Sequence, residues 1–241
     1  MARARKSSPA VITFAVSVLL LLSWQGWVAG RNGLSDIYAR PAINYLEDKS
    51  TADFRISEAE WQAVYDSISR ADELMPGNPR YLGSLGRLER IRLDLLADTL
   101  EIDQVDAHAR AAEDNYRAAV AARPTWPHFW GSLALEEYRR GNYDTDEFSV
   151  ALANAARFGP WKSDTQQLVA ELGSDTVKFL SLSAKHEVLL NLERGLSRQS
   201  DAMIAIVRDW EYVCEMANVT DVSLPLLSSH CERGGDDEPL P

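Results

Sequence analysis

The side chains that could carry chemistry in this 241-residue chain are carboxylates, histidines and cysteines, and some of the carboxylates come in adjacent pairs. Glu136–Glu137 and Asp236–Asp237 are of the type that glycosidases use, one carboxylate on each side of the scissile bond. Adjacent residues of a helix point to different faces, so such a pair does not close on one sugar. We interpret both pairs as solvated surface residues and keep a carbohydrate-active enzyme as the less favoured alternative.

The histidines give no sign of a shared site. They are scattered along the chain, at His108, His128, His186 and His230. The sequence also contains no dinucleotide-binding glycine motif, no phosphate-binding loop, no HExxH motif and no nucleophile elbow. We therefore predict that the protein is not an enzyme, with no catalytic residues and no cofactor.

The chain contains two cysteines, Cys214 and Cys231. In an oxidising compartment such a pair usually forms a disulfide bond. A zinc site made of Cys214, His230 and Cys231 is the alternative, but it supplies only three ligands, and adjacent residues rarely chelate one ion well. We predict a disulfide and no metal site, with the bridge tying the C-terminal tail to the helical part of the chain.

An uncharged apolar run covers residues 10–29. About 20 apolar residues in a helix span the ~30 Å hydrocarbon core of a bilayer. Basic residues precede the run and tryptophans lie at its far end: Arg3, Arg5, Lys6, Trp24 and Trp27. By the positive-inside rule we expect the N-terminus in the cytoplasm and the chain from Arg31 onward on the exported side. We predict a single-pass protein of a bacterial inner membrane with a periplasmic body.

A cleaved signal peptide is the alternative interpretation of the same run. Val28-Ala29-Gly30 is a tolerable cleavage sequence, whereas the large side chain of Trp27 so near the site argues against cleavage. The uncleaved anchor is therefore the favoured interpretation.

The chain is strongly acidic. Its formal net charge is −11, and it is −14 once the three basic residues before the apolar run are set aside. A body this acidic repels phosphate backbones, which disfavours nucleic acid as a partner.

Prolines recur at a fixed distance from apolar residues. Twelve, eight and five residues before Pro76 stand Val64, Ile68 and Ala71, and the same distances before Pro124 lead to Ala112, Tyr116 and Ala119. Similar helix openings follow: Pro79 leads to Leu82, Leu85 and Gly86, and Pro127 leads to Trp130, Leu133 and Ala134. Such spacing is that of one helical face, and no stretch alternates as a strand would. We predict an all-α fold.

This pattern resembles the tetratricopeptide repeat, whose second helix carries alanine, an aromatic residue and alanine before a closing proline. Ala112, Tyr116, Ala119 and Pro124 match that set in full. The resemblance implies stacked helical hairpins that bury their faces against their neighbours. A generic helical bundle is the alternative.

The array departs from the repeat in two places. About 14 extra residues separate Gly86 from Ala112, relative to a repeat of about 34 residues. In the last unit Asp146 stands where alanine is expected, and Pro160 comes two residues late. We therefore expect a short, degenerate array of hairpins with a C-terminal helical cap, preceded by one transmembrane helix.

The predicted organisation has six parts. They are a cytoplasmic tail (1–9), a transmembrane helix (10–29), a linker with a short helical piece (30–56), tetratricopeptide-like repeats (57–161), capping helices (162–217) and a tail (218–241). The capping helices are expected at 163–172, 176–196 and 200–217. The acidic end from Gly234 onward is rich in proline and glycine and is expected to be disordered.

A narrower resemblance lies at residues 155–172, AARFGPWKSDTQQLVAEL. This stretch is similar to proteins of the VpsP type, membrane-anchored accessory proteins of bacterial exopolysaccharide synthesis. The resemblance implies a non-catalytic scaffold whose partners are the other proteins of an envelope polysaccharide machine. An adaptor of another envelope complex, such as one for secretion or cell division, is the alternative.

The tetratricopeptide resemblance also implies a binding groove, because the first helices of such repeats line a concave face. The groove positions that follow from the register are Arg80, Arg87, Arg90, His128, Tyr138 and Arg139. Arginine binds carboxylates through a bidentate fork, so an acidic peptide or an acidic polysaccharide is the expected guest. The alternative is that these arginines pair with nearby acids such as Glu89 or Asp94.

The tryptophans are expected mainly in the core. Trp61, Trp130 and Trp210 lie at helix-face spacing, and Trp126 and Trp161 flank prolines at repeat junctions, where aromatic side chains usually pack. The alternative for Trp126 and Trp161 is an exposed pair that stacks on sugars.

Overall fold

The protein is helical throughout the residues that its computed structural model describes, which are 9–48, 56–96, 100–219 and 222–233. These residues contain ten helices and no strand. The helices are α1 (Pro9–Asp48), α2 (Glu58–Leu74), α3 (Pro79–Leu96), α4 (Ile102–Ala122), α5 (Pro127–Arg139), α6 (Asp146–Phe158), α7 (Ser163–Thr176), α8 (Leu182–Ile206), α9 (Trp210–Asn218) and α10 (Pro225–Glu232). The predicted all-α class is confirmed.

The chain divides into two compact units, Met1–Tyr81 and Leu82–Pro241. The first unit contains α1 and α2, and the second contains most of α3 and all the later helices. The boundary falls within the first turn of α3.

The first unit is built on one long helix. The stretch Pro9–Glu47 is long and apolar enough to cross a membrane, and its apolar window is not buried in the protein. Residues 30–48 do not form the predicted linker, because α1 continues through them without a break. The apolar residues of this extension recur at helical spacing in the sequence and form one buried face. They are Ala39, Ala42, Ile43 and Leu46.

Polar contacts fix the second half of α1 against α2 and the first turn of α3. The Arg31 Nε donates to the carbonyl oxygen of Leu74, the last residue of α2, at 2.9 Å. The buried Ser35 hydroxyl lies 3.0 Å from the Tyr81 hydroxyl. A capping box starts α2, because the Ser57 and Glu60 side chains each bond the backbone N–H of the other residue.

The second unit is a series of packed helices. Helices α5 and α6 pack on each other, as do α7 and α8, and both members of the first pair also contact the second. The twelve–eight–five spacing predicted for α4 is buried there, at Ala112, Tyr116 and Ala119.

The same spacing holds in α6, at Phe148, Leu152 and Ala155, which are fully buried and lie twelve, eight and five residues before Pro160. The core position that a repeat of about 34 residues places at Asp146 is therefore filled by Phe148, two residues later, and Pro160 is late by the same amount. The turn before α6 is longer than in the tetratricopeptide repeat, so the whole of α6 is shifted along the chain together with Pro160.

A further helix end of this kind lies within α8. Gln199 has φ −147° and ψ 51°, close to the C-cap residues Met75 (−136°, 70°) and Arg123 (−143°, 74°). Ser200 stands where proline follows the other two, and the buried Val188, Leu192 and Gly195 lie twelve, eight and five residues before it. The helix resumes after this break, so the predicted helices 176–196 and 200–217 are replaced by α8 and α9.

Small residues let the helices of the second unit approach closely. A Cβ atom added at Gly86 would lie 3.1 Å from the Ala112 carbonyl oxygen and 3.1 Å from the Tyr116 ring. At Gly83 an added Cβ would overlap the ring of Phe129 in α5. These glycines are needed for the space that they leave.

The C-terminal residues cap the second unit instead of forming a loose tail. Leu224 and Leu227 are buried, and α10 lies within the predicted tail 218–241. The Glu193 carboxylate of α8 accepts from the first-turn N–H groups of Leu226 (3.1 Å) and Leu227 (2.9 Å), and so caps α10. The expectation of disorder from Gly234 onward concerns residues outside the described part of the chain.

Cys214 of α9 and Cys231 of α10 lie at disulfide distance, with their Cα atoms 5.5 Å apart. The predicted pairing is confirmed in the geometry. Both sulfur atoms belong to the bridge in this geometry.

We expect Cys231→Ser to loosen α10 while leaving the rest of the second unit folded. The bridge spans a sequence separation of 17 residues, which corresponds to about 3 kcal/mol in the chain-entropy model. Hydrogen exchange of the amides in α10 should accelerate, with α5 and α6 unchanged. Free thiols at both positions in protein from an oxidising compartment would contradict the bridge.

Candidate functional site

The predicted groove arginines are mostly engaged with carboxylates. Arg80 Nη2 lies 3.2 Å from Glu47 Oε1 within the first unit. In the second unit Arg90 pairs with Glu136 and Asp94, and Arg139 lies 3.7 Å from each of the same two acids. The alternative prediction, that these arginines pair with nearby acids such as Asp94, describes Arg90 and Arg139. Among the described residues, Arg87 has no carboxylate partner.

Arg90 and Glu136 form a buried pair between α3 and α5. Glu136 is 1% exposed, and Arg90 Nε lies 3.0 Å from both of its carboxylate oxygens, with Arg90 Nη2 bonded to one of them. Burial works against the charged guanidinium, but the hydrogen bonds and charge of Glu136 outweigh it and raise the pKa of Arg90. The pair therefore fixes the register of α3 on α5.

A second ion-pair cluster joins α4, α5 and α6 around Arg117. Its guanidinium bonds Glu113 of its own helix, lies 3.5 Å from Glu137 of α5 and bonds Glu147 of α6 at 2.7 Å. Arg140 adds a 2.8 Å bond to Glu113. One arginine thus ties three helices through three carboxylates.

The carboxylates of this cluster differ in pKa. Burial, together with the nearby Glu113 and Glu147, raises the pKa of Glu137 to about 7, against a hydrogen bond from Asn142 that lowers it. Burial also disfavours the charge on Glu113, but Arg117 and Arg140 outweigh it and hold the pKa of that carboxyl below its ordinary value. At neutral pH the cluster therefore holds Glu137 near its titration point beside an ionised Glu113.

The two adjacent carboxylates of α5 are not the solvated surface residues that we predicted. Glu136 and Glu137 are both buried, at 1% and 2% exposure. They do point to different sides of α5, since one meets Arg90 of α3 and the other meets Arg117 of α4. The separation fits the argument against a glycosidase pair. Asp236–Asp237 lies outside the described residues.

The Arg117 cluster also has the spacing of a metal site. Oxygen atoms of Glu113, Glu137 and Glu147 all lie within 4.8 Å of one another. Arg117 contacts all three carboxylates and supplies the positive charge that a cation would bring. We therefore interpret the cluster as a structural ion-pair network.

The histidines have separate surroundings, as the sequence suggested. His108 Nδ1 lies 2.5 Å from the buried Glu89 carboxylate, which links α4 to α3. His230 is buried with its ring 4.2 Å from that of Trp210, and burial lowers the pKa of His230. His128 is exposed, yet partial loss of water around its ring lowers its pKa; Asp164 opposes this and Arg87 adds to it.

Tyr138, the remaining predicted groove residue, donates its hydroxyl to Asp175 of α7. That bond raises the pKa of Tyr138. Of the six predicted groove residues, Arg87 and His128 are the two that bond no carboxylate among the described residues. The charge of Arg87 contributes to the lowered pKa of His128.

A shallow cavity of about 260 Å³ lies between α8 and α9. Its lining is largely apolar with a few polar groups: Leu182, Lys185, His186, Leu189, Tyr212, Glu215, Met216 and Val219. Sequence reasoning did not identify this cavity, since its residues come from two helices with no shared motif.

Two of the tryptophans depart from the expectation of packing at the junctions. Trp126 is 39% exposed and Trp161 is 62% exposed. Trp61 is buried as predicted, whereas Trp130 and Trp210 are half-buried. Trp126 and Trp161 therefore have the exposure that the alternative required, and their stacking on sugars stays a prediction.

Comparison with the models of known protein families and with the curated proteins gives no match for this chain.

We expect Arg90→Met to destabilise the second unit by about 3–5 kcal/mol, because it leaves the Glu136 carboxylate buried without its main partner. The double variant Arg90→Met/Glu136→Leu should recover most of that loss. Arg110→Met is the matched control, since Arg110 pairs with Asp106 on the exposed surface and such pairs contribute about 0–1 kcal/mol. Urea unfolding measures all three, and equal effects of Arg90→Met and Arg110→Met would contradict a buried pair.

Glu137→Gln should change how stability depends on pH. The folded pKa of Glu137, about 7, lies above its ordinary value of 4.5, so its favourable contribution is complete below pH 4.5 and is lost as pH rises through 7. The glutamine variant lacks this loss. The free energy of unfolding of the variant relative to the parent should therefore rise between pH 4.5 and pH 8, by on the order of 2 kcal/mol. A constant difference across that range would show that Glu137 titrates normally.

Proposed function

We propose that this protein is a non-catalytic scaffold, anchored in the bacterial inner membrane by α1, whose exported helical body organises proteins of an envelope polysaccharide machine. The body is proposed to be a short tetratricopeptide-like array with a C-terminal cap. The observation that carries the proposal is the continuity of α1, which runs from an apolar stretch long enough to span a membrane directly into a packed helical hairpin.

The continuity of α1 favours an anchor over a cleaved signal peptide. Cleavage after Gly30 would cut α1 in its middle, directly before Arg31, which bonds the end of α2. Trp27 lies under the Arg31 guanidinium at 4.7 Å, an arrangement suited to a membrane interface. The Cys214–Cys231 bridge fits an oxidising compartment for the other end of the chain.

The repeat character is supported by the recurring ends of the second helices. In α4 and α6 the buried positions stand at the same three distances before a proline, and the break in α8 follows the same spacing. Ion pairs between α3, α4, α5 and α6, two of them to the buried carboxylates Glu136 and Glu137, hold these helices in one arrangement. A fixed surface of this kind suits a scaffold.

The polysaccharide setting rests on the resemblance of residues 155–172 to VpsP-type proteins. This stretch covers the end of α6, the turn and most of α7. An adaptor of a secretion or division complex is the competing function.

Topology provides the first experiment. A periplasmic reporter fused after Pro241 should be active, and the mature protein should stay in the membrane after alkaline washing. The intact mass of the mature protein should include the apolar residues 10–29. A washed-off protein beginning at Arg31 would contradict the anchor.

Deletion of the gene provides the second experiment. We expect the amount of extracellular polysaccharide to fall while secretion and septation stay normal, and the full chain to restore it. A chain whose residues 1–29 are replaced by a cleavable signal peptide is the matched control and should restore less. Normal polysaccharide with a defect in secretion or division would favour the competing function.

A further inference from the structure

Exposed aromatic side chains and unpaired cations of the second unit collect at the turns. We define the turn edge as residues 123–127 between α4 and α5, residues 159–163 between α6 and α7, and residues 198–200 at the break in α8. Contacts between these segments place them side by side. A Cβ atom added at Gly159 would lie 2.8 Å from Pro127 Cβ, and Ser163 Oγ lies 3.1 Å from Gln199 Oε1.

Each of two successive turns presents an exposed tryptophan with an arginine over its ring. Arg123 lies 4.0 Å from the centre of the Trp126 ring, and Arg198 lies 5.7 Å from that of Trp161. Phe158, the last residue of α6, adds a third exposed aromatic ring beside the second turn.

The cations of the turn edge differ from most others in the second unit. Arg90, Arg117, Arg139 and Arg140 are all paired with carboxylates. Arg123, Lys162 and Arg198 have no ion pair within the described part of the chain. In a protein of net charge −11, this leaves a cationic, aromatic strip free to meet an anion.

The backbone adds to the positive potential. Trp126 and Lys162 are the N-cap residues of α5 and α7, and neither side chain caps its helix. The starts of both helices therefore present first-turn N–H groups at this edge, except that Pro127 has none and that Thr165 N–H donates to Asp164 Oδ1. Asp164, in the first turn of α7, is an exposed opposing charge.

We propose that the turn edge binds an acidic polysaccharide, with sugar rings stacked on Trp126 and Trp161 and uronate carboxylates held by Arg123 and Arg198. Aromatic faces suit the C–H faces of pyranose rings, and arginine suits carboxylates. Two similar tryptophan–arginine pairs on successive turns match a ligand that itself repeats. The inference deepens the proposed function and rests on it for the presence of such a polymer in the same compartment.

Binding of purified full-length protein, held in zwitterionic nanodiscs, to polygalacturonate tests this proposal. Dextran serves as the neutral polymer, and vesicles containing phosphatidylglycerol serve as the anionic membrane. Two double variants, Arg123→Ala/Trp126→Ala and Trp161→Ala/Arg198→Ala, should each lose about tenfold or more in affinity for polygalacturonate. Rising salt should weaken the binding of the parent protein.

Phe179→Ala/Arg208→Ala is the matched control. It also removes an exposed aromatic residue and an arginine. Both residues come after the C-terminal end of α7, whereas Trp161 precedes the N-terminal end of that helix. Its affinity should equal that of the parent. The melting temperature of every variant should equal that of the parent, so that a loss of binding is due to the removed surface side chains and not to unfolding.

Several outcomes would overturn the proposal. These are no binding of polygalacturonate by the parent, retention of affinity in both double variants, dextran bound as tightly as polygalacturonate, or binding of the anionic vesicles alone. Because the assay uses purified protein, its failure is separate from failure of the scaffold function, which is tested by topology and gene deletion.

Discussion

Burial of two adjacent carboxylates on α5 is the constraint on which the arrangement of α3 to α6 depends. Glu136 and Glu137 lie on different sides of that helix and out of water, so each meets a polar partner on a different neighbour. Arg90 of α3 serves the first and Arg117 of α4 serves the second. An unpaired buried charge costs several kcal/mol, so sliding α3 along α5 away from Glu136 is strongly disfavoured. Apolar packing alone tolerates such shifts more readily, because it is not directional.

The recurrence of one helix ending explains why the turns share an edge. Within the second unit, Arg123 and Gln199 adopt similar backbone angles after buried residues at the same spacing. Helices that end alike and pack side by side bring their following turns together. The aromatic and basic residues of those turns then form one surface, although they are far apart in sequence.

Much of the fold could be predicted from sequence, because proline and helical spacing act locally. The starts of α3, α5 and α7 and the burial around Ala112, Tyr116 and Ala119 follow from those signals. The extent of α1 was missed because its second half is amphipathic and carries no apolar run. The Arg117 cluster was visible only in part: Glu113 and Arg117 are four residues apart on one helix, but Glu137 and Glu147 join through packing between helices. The exposure of Trp126 and Trp161 depends on which surfaces the turns leave open, which spacing does not encode.

The unbroken course of α1 has a mechanical consequence. From Trp27 to Asp48 a continuous helix covers roughly 30 Å, and α2 braces much of that length. A flexible tether would let a bound guest sample a hemisphere of positions above the lipid. If the apolar half of α1 spans a membrane, as proposed, this braced helix holds the first hairpin at a fixed height and orientation, so that any partner it binds loses little further orientational entropy on meeting a neighbouring membrane protein.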